Sequence, residues 1–243
     1  MVQNGDDMEL YDDPFPHCVI DNFLPSHLAE ELSKEFIDYN SDNWFVYNNP
    51  LEKKKALNNW YYFPKNTYQF FQQLMSPQFV NFLRNVTNCP ELTPDGGLHG
   101  AGWHIQGNQG KLNVHLDYSI HPKLDLERKI NLIYYLTPEW KDEWGGNLEF
   151  WSHDEENNSP KQLIKTIENK FNRLLLFDTT HNSWHGFSKP ITCPENVYRK
   201  SIAMYYLVPS KENTSRRNRA LYSPTEEQKN DPEILKLIQQ RTL

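Results

Sequence analysis

Near the middle of the chain stands the stretch Lys111-Leu112-Asn113-Val114-His115-Leu116-Asp117, in which polar and apolar residues alternate. This alternation is typical of a β-strand and places Asn113, His115 and Asp117 on one of its faces. His115 and Asp117 can therefore direct an imidazole nitrogen and a carboxylate oxygen at one point. These are two of the three protein ligands of a two-histidine, one-carboxylate Fe(II) site. A His-x-Asp pair alone is a weak signal, so the interpretation depends on what the chain supplies further on.

The composition narrows the class of protein. The 243 residues are enough for one domain with a substantial core, and the net charge of −7 favours neither nucleic acid nor an anionic membrane as a partner. The three cysteines, Cys18, Cys89 and Cys193, are far apart and form no Cys-x-x-Cys pair. That pattern argues against disulfides and structural zinc and favours a reducing compartment. The polar N-terminus is unlike a signal peptide, and we expect a soluble, cytoplasmic protein whose oligomeric state the sequence does not reveal.

The first half of the chain predicts short strands and helices. Residues 1–13 are expected to be frayed, and a capping serine before proline at Ser76-Pro77 predicts the start of a helix. Lys53 to Lys55 are expected to form a loop. The other elements predicted here are a strand over 15–21, a helix carrying Leu28, Leu32 and Phe36, a strand over about 44–47 and a helix over about 66–75.

The second half reads as a series of strands. Six of the ten glycines lie between Gly96 and Gly110 and indicate hairpin turns, since no phosphate-loop pattern followed by a helix is present. The basic segment Lys211 to Arg219 is expected to be a solvated loop. The predicted strands are 111–117, 129–137, 147–151, 163–167, 172–178, 183–187 and 199–208. A helix is predicted to begin at Asp231-Pro232. Short strands at this spacing suggest an antiparallel sandwich or barrel.

A third metal ligand has to come from the remaining histidines. His185 is flanked by bulky residues and followed by Gly186, as expected for a residue on a short strand that lets a ligand approach. His181 falls in the preceding turn. The chemistry favours His185 but leaves His181 open.

An anion-binding residue would complete the site. Fe(II) held by three protein ligands keeps open positions for O2 and for a chelating co-substrate. A dicarboxylate such as 2-oxoglutarate would also need a cation for its distal carboxylate. Arg199 can offer a bidentate fork, Lys200 would point to the other face of the strand, and Tyr135 could add a hydroxyl from a neighbouring strand. A surface salt bridge is the alternative role for Arg199.

Taken together, these motifs resemble the prolyl-4-hydroxylase-like branch of the Fe(II)/2-oxoglutarate dioxygenases. The resemblance covers about residues 100–208, and an N-terminal segment, 14–24, also looks like the entry segment of these proteins. The motifs are, in order, His115-Leu116-Asp117, NLIYYL (131–136), WGGNLEF (144–150), RLLLF (173–177), SWHG (183–186) and RKSI (199–202).

The resemblance implies a mainly β fold with flanking helices. This fold is a double-stranded β-helix, or jelly roll, with N-terminal helices packed on one sheet. Residues 1–243 would form a single dioxygenase domain. Within it, 14–95 would be a strand and helix support region, 96–208 the jelly-roll catalytic core, and 209–243 a C-terminal loop and helix.

The resemblance also assigns roles to residues of this sequence. It implies that His115, Asp117 and His185 ligate Fe(II), and that Arg199, assisted by Tyr135, binds the C5 carboxylate of 2-oxoglutarate. A segment between His185 and Arg199 is longer than is common in the branch, so Lys200 remains an alternative anchor. The co-substrates would be 2-oxoglutarate and O2, with ascorbate as a candidate reductant. An aspartate at position 117 argues against a halogenase, because the iron has no vacant position for a halide.

The implied reaction is hydroxylation of an unactivated C–H bond, with 2-oxoglutarate converted to succinate and CO2. The expected substrate is a prolyl peptide or protein, and the alternative is a free amino acid or sugar derivative. Two other classes compete with this interpretation. A catalytically silent metal-binding jelly roll would tolerate loss of one of the site residues, whereas the set is complete. A zinc hydrolase would leave Arg199 and Tyr135 without a role.

Overall fold

The computed structural model describes residues 8–242 and shows a β-rich core flanked by helices. The strands are β1 Met8–Tyr11, β2 His17–Ile20, β3 Phe45–Asn48, β4 Glu52–Leu57, β5 Thr93–Pro94, β6 Gly102–Gln106, β7 Lys111–Leu116, β8 Leu126–Tyr135, β9 Leu148–Asp154, β10 Ser159–Ile167, β11 Leu174–Asp178, β12 Trp184–Phe187, β13 Arg199–Pro209 and β14 Leu221–Tyr222. The helices are α1 Ser26–Lys34, α2 Lys65–Leu74, α3 Pro77–Val86 and α4 Pro232–Thr242.

The strands form one antiparallel sheet that curls on itself. Its order is β1-β2-β11-β8-β13-β6-β4-β7-β12-β9-β10, with β3, β5 and β14 added beside β4, β13 and β7. β4 pairs with both β6 and β7 and so joins the two halves. The halves face each other, because Phe150 of β9 packs on Phe177 of β11 with ring centroids 5.3 Å apart. The predicted jelly-roll fold is confirmed.

Helices α1 to α3 cover the outer face of the half that contains β8, β13 and β6. Phe70 of α2 packs on Tyr134, with ring centroids 5.2 Å apart, and the Tyr206 hydroxyl donates to the Leu74 carbonyl at 2.9 Å. The predicted cap is present, since the Ser76 hydroxyl accepts from the Phe79 N–H at 3.3 Å. The N-terminal helices therefore pack on one sheet as predicted, and they leave the inner face of the curled sheet for the site.

Two local predictions are wrong. Residues 8–11, expected to be frayed, form β1, which pairs antiparallel with β2; residues 1–7 of that prediction lie outside the described part of the chain. Lys53 to Lys55, expected to form a loop, lie in β4. The charge is tolerated there because the Lys54 ammonium lies 3.5 Å from the Glu52 carboxylate, and the Lys55 ammonium donates to the Tyr39 carbonyl and lies over the Tyr39 ring.

The basic segment Lys211 to Arg219 differs in part from the predicted solvated loop. Arg217 is half-buried, and its backbone carbonyl accepts from the Ser119 N–H at 2.8 Å. The segment is therefore folded against the chain that follows β7. No helix within residues 8–242 is long and apolar enough to cross a membrane. The single-domain organisation and the cytoplasmic location stay predictions.

Candidate metal centre and co-substrate pocket

Three side chains that can bind a metal converge at one point inside the curled sheet. His115 of β7 lies directly opposite His185 of β12 in the strand register, and Asp117 follows the end of β7. One ligand atom from each of the three residues lies within 4.8 Å of the other two. The Nε2 atoms of His115 and His185 are 3.5 and 3.8 Å from the Asp117 carboxylate oxygens. Each histidine is at most 5 % exposed.

Backbone carbonyls fix the orientation of both imidazole rings. Nδ1 of His115 lies 2.9 Å from the Asn113 carbonyl, and Nδ1 of His185 lies 2.8 Å from the Ser183 carbonyl. A carbonyl can only accept, so each ring carries a proton on Nδ1, and Nε2 is the nitrogen that faces the cluster and can bind a metal. Burial, together with repulsion from His115, lowers the pKa of His185 to about 4. That ring is therefore neutral near pH 7, as a metal ligand has to be.

A buried arginine, Arg128, holds the Asp117 carboxylate. Its Nη1 lies 3.0 Å from Asp117 Oδ2, and the Asn131 amide donates to the same oxygen at 3.3 Å. Burial opposes ionisation of Asp117, but Arg128 and the two imidazoles outweigh it and hold the pKa of the carboxyl well below its usual range. The Arg128 guanidinium is sandwiched between the rings of Tyr118 and Tyr205, at 3.8 and 3.3 Å from their centroids. Apart from these two tyrosines, no residue that the structure describes is a hydrogen-bond partner of its Nε and Nη2.

Gly186 lets the strand that carries His185 approach β7. A Cβ at this position would lie 2.7 Å from the Asn113 carbonyl oxygen and 2.8 Å from that of Leu112. Because both obstacles are backbone atoms, the two strands would have to move apart. The glycine thus sets the separation between the strands that carry the two histidines.

We expect Gly186→Ala to destabilise the protein by about 1–3 kcal/mol, the usual cost of forcing extra volume into a packed interior. The free energy of unfolding, measured by urea titration, checks this result. Gly96→Ala is the matched control, because a Cβ there would meet only the Met75 sulfur at an ordinary 3.7 Å. Equal urea concentrations at the midpoint of unfolding for the two variants would contradict the steric role of Gly186.

A second buried cation, Arg199, lies deeper between the two halves of the sheet. Its Nε donates to the Gly146 carbonyl at 2.8 Å, and its Nη1 donates to the Gln106 amide oxygen at 3.2 Å. The guanidinium carbon is 5.1 Å from the Tyr135 ring centroid and 5.7 Å from that of Phe187. The group therefore faces side chains of both halves of the fold.

Arg199 has the surroundings of an anion-binding site. It pairs with no carboxylate of residues 8–242, and burial lowers its pKa. Within residues 8–242, Gln106 Nε2 is buried without a hydrogen-bond partner, and the Tyr135 hydroxyl has none besides Arg199 itself. Native proteins rarely leave a buried charge and buried polar groups unpaired. A bound carboxylate would satisfy all three groups.

The alternative residues for the two sites, Lys200 for the anion and His181 for the metal, lie away from them. Lys200, next to Arg199, points the other way, and its ammonium donates to the Ser33 carbonyl of α1 at 2.8 Å. His181 is exposed and lies 3.5 Å from the Asp178 carboxylate rather than beside Asp117. Among the residues that the structure describes, the one group of three or more potential metal ligands is His115, Asp117 and His185.

A cavity of ≈ 730 Å³ opens beside the metal-ligand cluster. His115, Asp117 and Arg128 lie in its wall, the β3–β4 hairpin contributes Phe45, and the C-terminal segment contributes Tyr222. This volume falls in the usual range for ligand pockets. The cavity therefore gives a substrate direct access to the cluster.

Three residues around the sites carry no signal in the sequence. Arg128 lies one residue before the predicted strand 129–137, Gln106 lies in the glycine-rich stretch predicted to form turns, and Tyr222 lies beyond the last predicted strand. Their roles arise from pairing between strands, such as Tyr222 of β14 opposite His115 of β7.

A jelly roll that brings two histidines and one carboxylate together has the architecture of non-haem metal oxygenases. Comparison with known proteins agrees with this class. Residues 101–207 match the family model described as the 2OG-Fe(II) oxygenase superfamily. Over these residues the chain is similar to the superfamily, and the predicted resemblance to its prolyl hydroxylases is confirmed.

Individual proteins of known sequence or structure are also similar to this chain. The chain is 29 % identical to the prolyl 3-hydroxylase OGFOD1 of Mus musculus over 82 % of its own length and 34 % of the relative's. It therefore spans about a third of the length of that curated relative. The fold resembles a Trichoplax adhaerens prolyl hydroxylase bound to a hypoxia inducible factor peptide fragment (TM-score 0.55, 19 % identity, covering 79 % of this chain and 83 % of that one). It also resembles a Pseudomonas putida prolyl-4-hydroxylase (TM-score 0.52, 15 % identity, covering 79 % and 92 %).

Proposed function

We propose that this protein is an Fe(II)- and 2-oxoglutarate-dependent dioxygenase that hydroxylates a C–H bond of a protein or peptide, with a prolyl residue as the expected target. The observation that carries this proposal is the pairing of two sites. A cluster of His115, Asp117 and His185 lies inside the same curled sheet as Arg199, a buried cation that pairs with no carboxylate of residues 8–242. A metal ion and a dicarboxylate would complete both.

The donor set fits Fe(II). The Nε2 atoms of two histidines and one ionised carboxylate make the two-histidine, one-carboxylate set that leaves further metal positions open. The Asn113 and Ser183 carbonyls keep the rings oriented without a metal, and Arg128 keeps Asp117 ionised. When bound, Fe(II) supplies the O2 chemistry that couples decarboxylation of 2-oxoglutarate to hydroxylation.

Arg199 is assigned to the distal carboxylate of 2-oxoglutarate. Its guanidinium can form charge-assisted hydrogen bonds to the carboxylate oxygens, while the Tyr135 hydroxyl and the Gln106 amide each have a donor to offer. These interactions orient the co-substrate. Lys200 is the weaker candidate because its ammonium is already bound to α1 on the other face of β13.

The substrate side of the proposal rests on the cavity beside the cluster. Its wall includes aromatic side chains, such as Phe45 and Tyr118. Aromatic surface can pack on a prolyl ring. The names of the curated relatives, which are prolyl 3-hydroxylases, support a prolyl target.

Anaerobic Fe(II) titration, followed by measurement of succinate released from 2-oxoglutarate in air, tests the proposal. We expect one Fe(II) per chain, turnover that requires 2-oxoglutarate, and faster succinate release with a proline-containing peptide. Mass spectrometry and amino-acid analysis of the peptide distinguish 3-hydroxyproline from 4-hydroxyproline. Stimulation by free amino acids or sugar derivatives instead would favour a small-molecule hydroxylase. Absence of any 2-oxoglutarate turnover in the Fe(II)-loaded protein would overturn the enzyme assignment.

A further inference from the structure

The C-terminal part of the chain packs against the polar face of β7 and against Asp117, the residue that follows this strand. Asn113, His115 and Asp117 each contact at least one residue between positions 217 and 228. These positions lie beyond residues 101–207, the part that matches the superfamily. We call Arg217, Tyr222 and Gln228 the C-terminal clamp.

Tyr222 packs on the ring of His115. The ring centroids are 5.0 Å apart and the planes differ by 24°, so the phenol lies nearly parallel to the imidazole. His185 lies on the same imidazole at a centroid distance of 4.4 Å. The Tyr222 hydroxyl is hydrogen-bonded to Glu52, which the Arg241 guanidinium of α4 contacts at 3.2 Å. Tyr222 is only 5 % exposed, so it restricts rotation of the imidazole.

Gln228 and Arg217 hold the two ends of the same face. The Asn113 amide donates to the Gln228 side-chain oxygen at 2.6 Å, and the Gln228 amide donates to the Pro50 carbonyl at 2.9 Å. Asn113 is the residue whose carbonyl fixes Nδ1 of His115. At the other end, the Arg217 Nε donates to the backbone carbonyl of Asp117 at 3.2 Å.

We propose that the C-terminal clamp is part of the metal site and sets its affinity by fixing the positions of His115 and Asp117. This inference rests on the proposed metal-binding function. Groups that orient metal ligands typically change metal affinity by about 10–100-fold when they are removed. The clamp contacts every residue of the ligand-bearing face, so its loss frees the imidazole to rotate and β7 to shift.

The test measures Mn(II) binding to the full chain by the EPR signal of free Mn(II). We expect Tyr222→Ala and Gln228→Ala each to raise the Kd for Mn(II) about 10-fold or more. Tyr222→Phe keeps the ring on His115 and should stay within about twofold of the wild type. Phe79→Ala is the control for general destabilisation, because Phe79 is a buried aromatic residue of α3 that contacts neither the ligands nor the clamp.

The outcomes separate this inference from the function on which it rests. Failure of the wild type to bind Mn(II) would count against the metal site itself. If the wild type binds Mn(II) tightly and Tyr222→Ala and Gln228→Ala have the same Kd for Mn(II), only the proposed role of the clamp is overturned. An equal loss of affinity in Phe79→Ala would also overturn it, because the effect would then reflect lower stability. If Tyr222→Ala does not fold, Gln228→Ala decides the question.

Discussion

Asp117→Ala is expected to abolish both Fe(II) binding and succinate formation. The substitution removes the only carboxylate of the cluster and leaves the Arg128 guanidinium, which is 2 % exposed, beside the two histidines. A positive charge near the metal position, without its counterion, opposes binding of a divalent cation. The loss of metal affinity should exceed the roughly 10–100-fold that removal of an orienting neighbour costs.

The same variant should also lose stability. Removing one partner of a buried ion pair typically costs about 3–5 kcal/mol, because the other charge stays buried without compensation. Asp125→Asn is the control: Asp125 also pairs with an arginine, but that pair is exposed and should contribute at most about 1 kcal/mol. Asparagine also tolerates the positive φ of this position. Urea unfolding and anaerobic Fe(II) titration of both variants check the two effects.

A double variant separates ligation from ion pairing. Asp117→Ala/Arg128→Leu removes both charges, so it should recover most of the lost stability while still failing to bind Fe(II). Undiminished succinate release by Asp117→Ala would mean that Asp117 is not a metal ligand. Recovery of Fe(II) binding in the double variant would mean that Asp117 acts only by neutralising Arg128.

The sequence predicted those parts of the site that local patterns can encode. Alternation along 111–117 indicated the strand face. The glycine after His185 was predicted to let a ligand approach, whereas in the structure Gly186 lets the backbone of β7 approach. The choice between His181 and His185 depended on resemblance to a family. Local spacing alone does not show which of two nearby histidines will lie opposite His115.

Other features depend on contacts between distant parts of the chain. Lys53 to Lys55 have the composition of a loop, but β4 is needed to join the two halves of the sheet, and pairing with β3, β6 and β7 overrides the local preference. Arg128 and Tyr222 are likewise ordinary residues in sequence. Their positions beside Asp117 and His115 follow from sheet register and from the path of the C-terminal segment.

Arg199→Ala is expected to raise the 2-oxoglutarate concentration needed for turnover far more than Lys200→Ala does. Loss of one partner from a buried charge-assisted pair costs about 2–5 kcal/mol, so the requirement for 2-oxoglutarate should rise by roughly 30-fold or more. Lys200 is the matched control, since it is the neighbouring cation on the same strand and its ammonium binds the Ser33 carbonyl. Steady-state succinate release at varied 2-oxoglutarate, with Fe(II) saturating, gives the two values.

The stability of the Arg199 variant provides an independent check. In the protein without co-substrate, Arg199 is a buried charge with no carboxylate partner among the described residues, so Arg199→Ala relieves a desolvation penalty as well as removing two hydrogen bonds. We therefore expect its free energy of unfolding to change much less than its 2-oxoglutarate requirement. Added 2-oxoglutarate with Mn(II) should raise the unfolding temperature of the wild type and of Lys200→Ala but not that of Arg199→Ala. Equal stabilisation of all three proteins would assign the distal carboxylate to a residue other than Arg199.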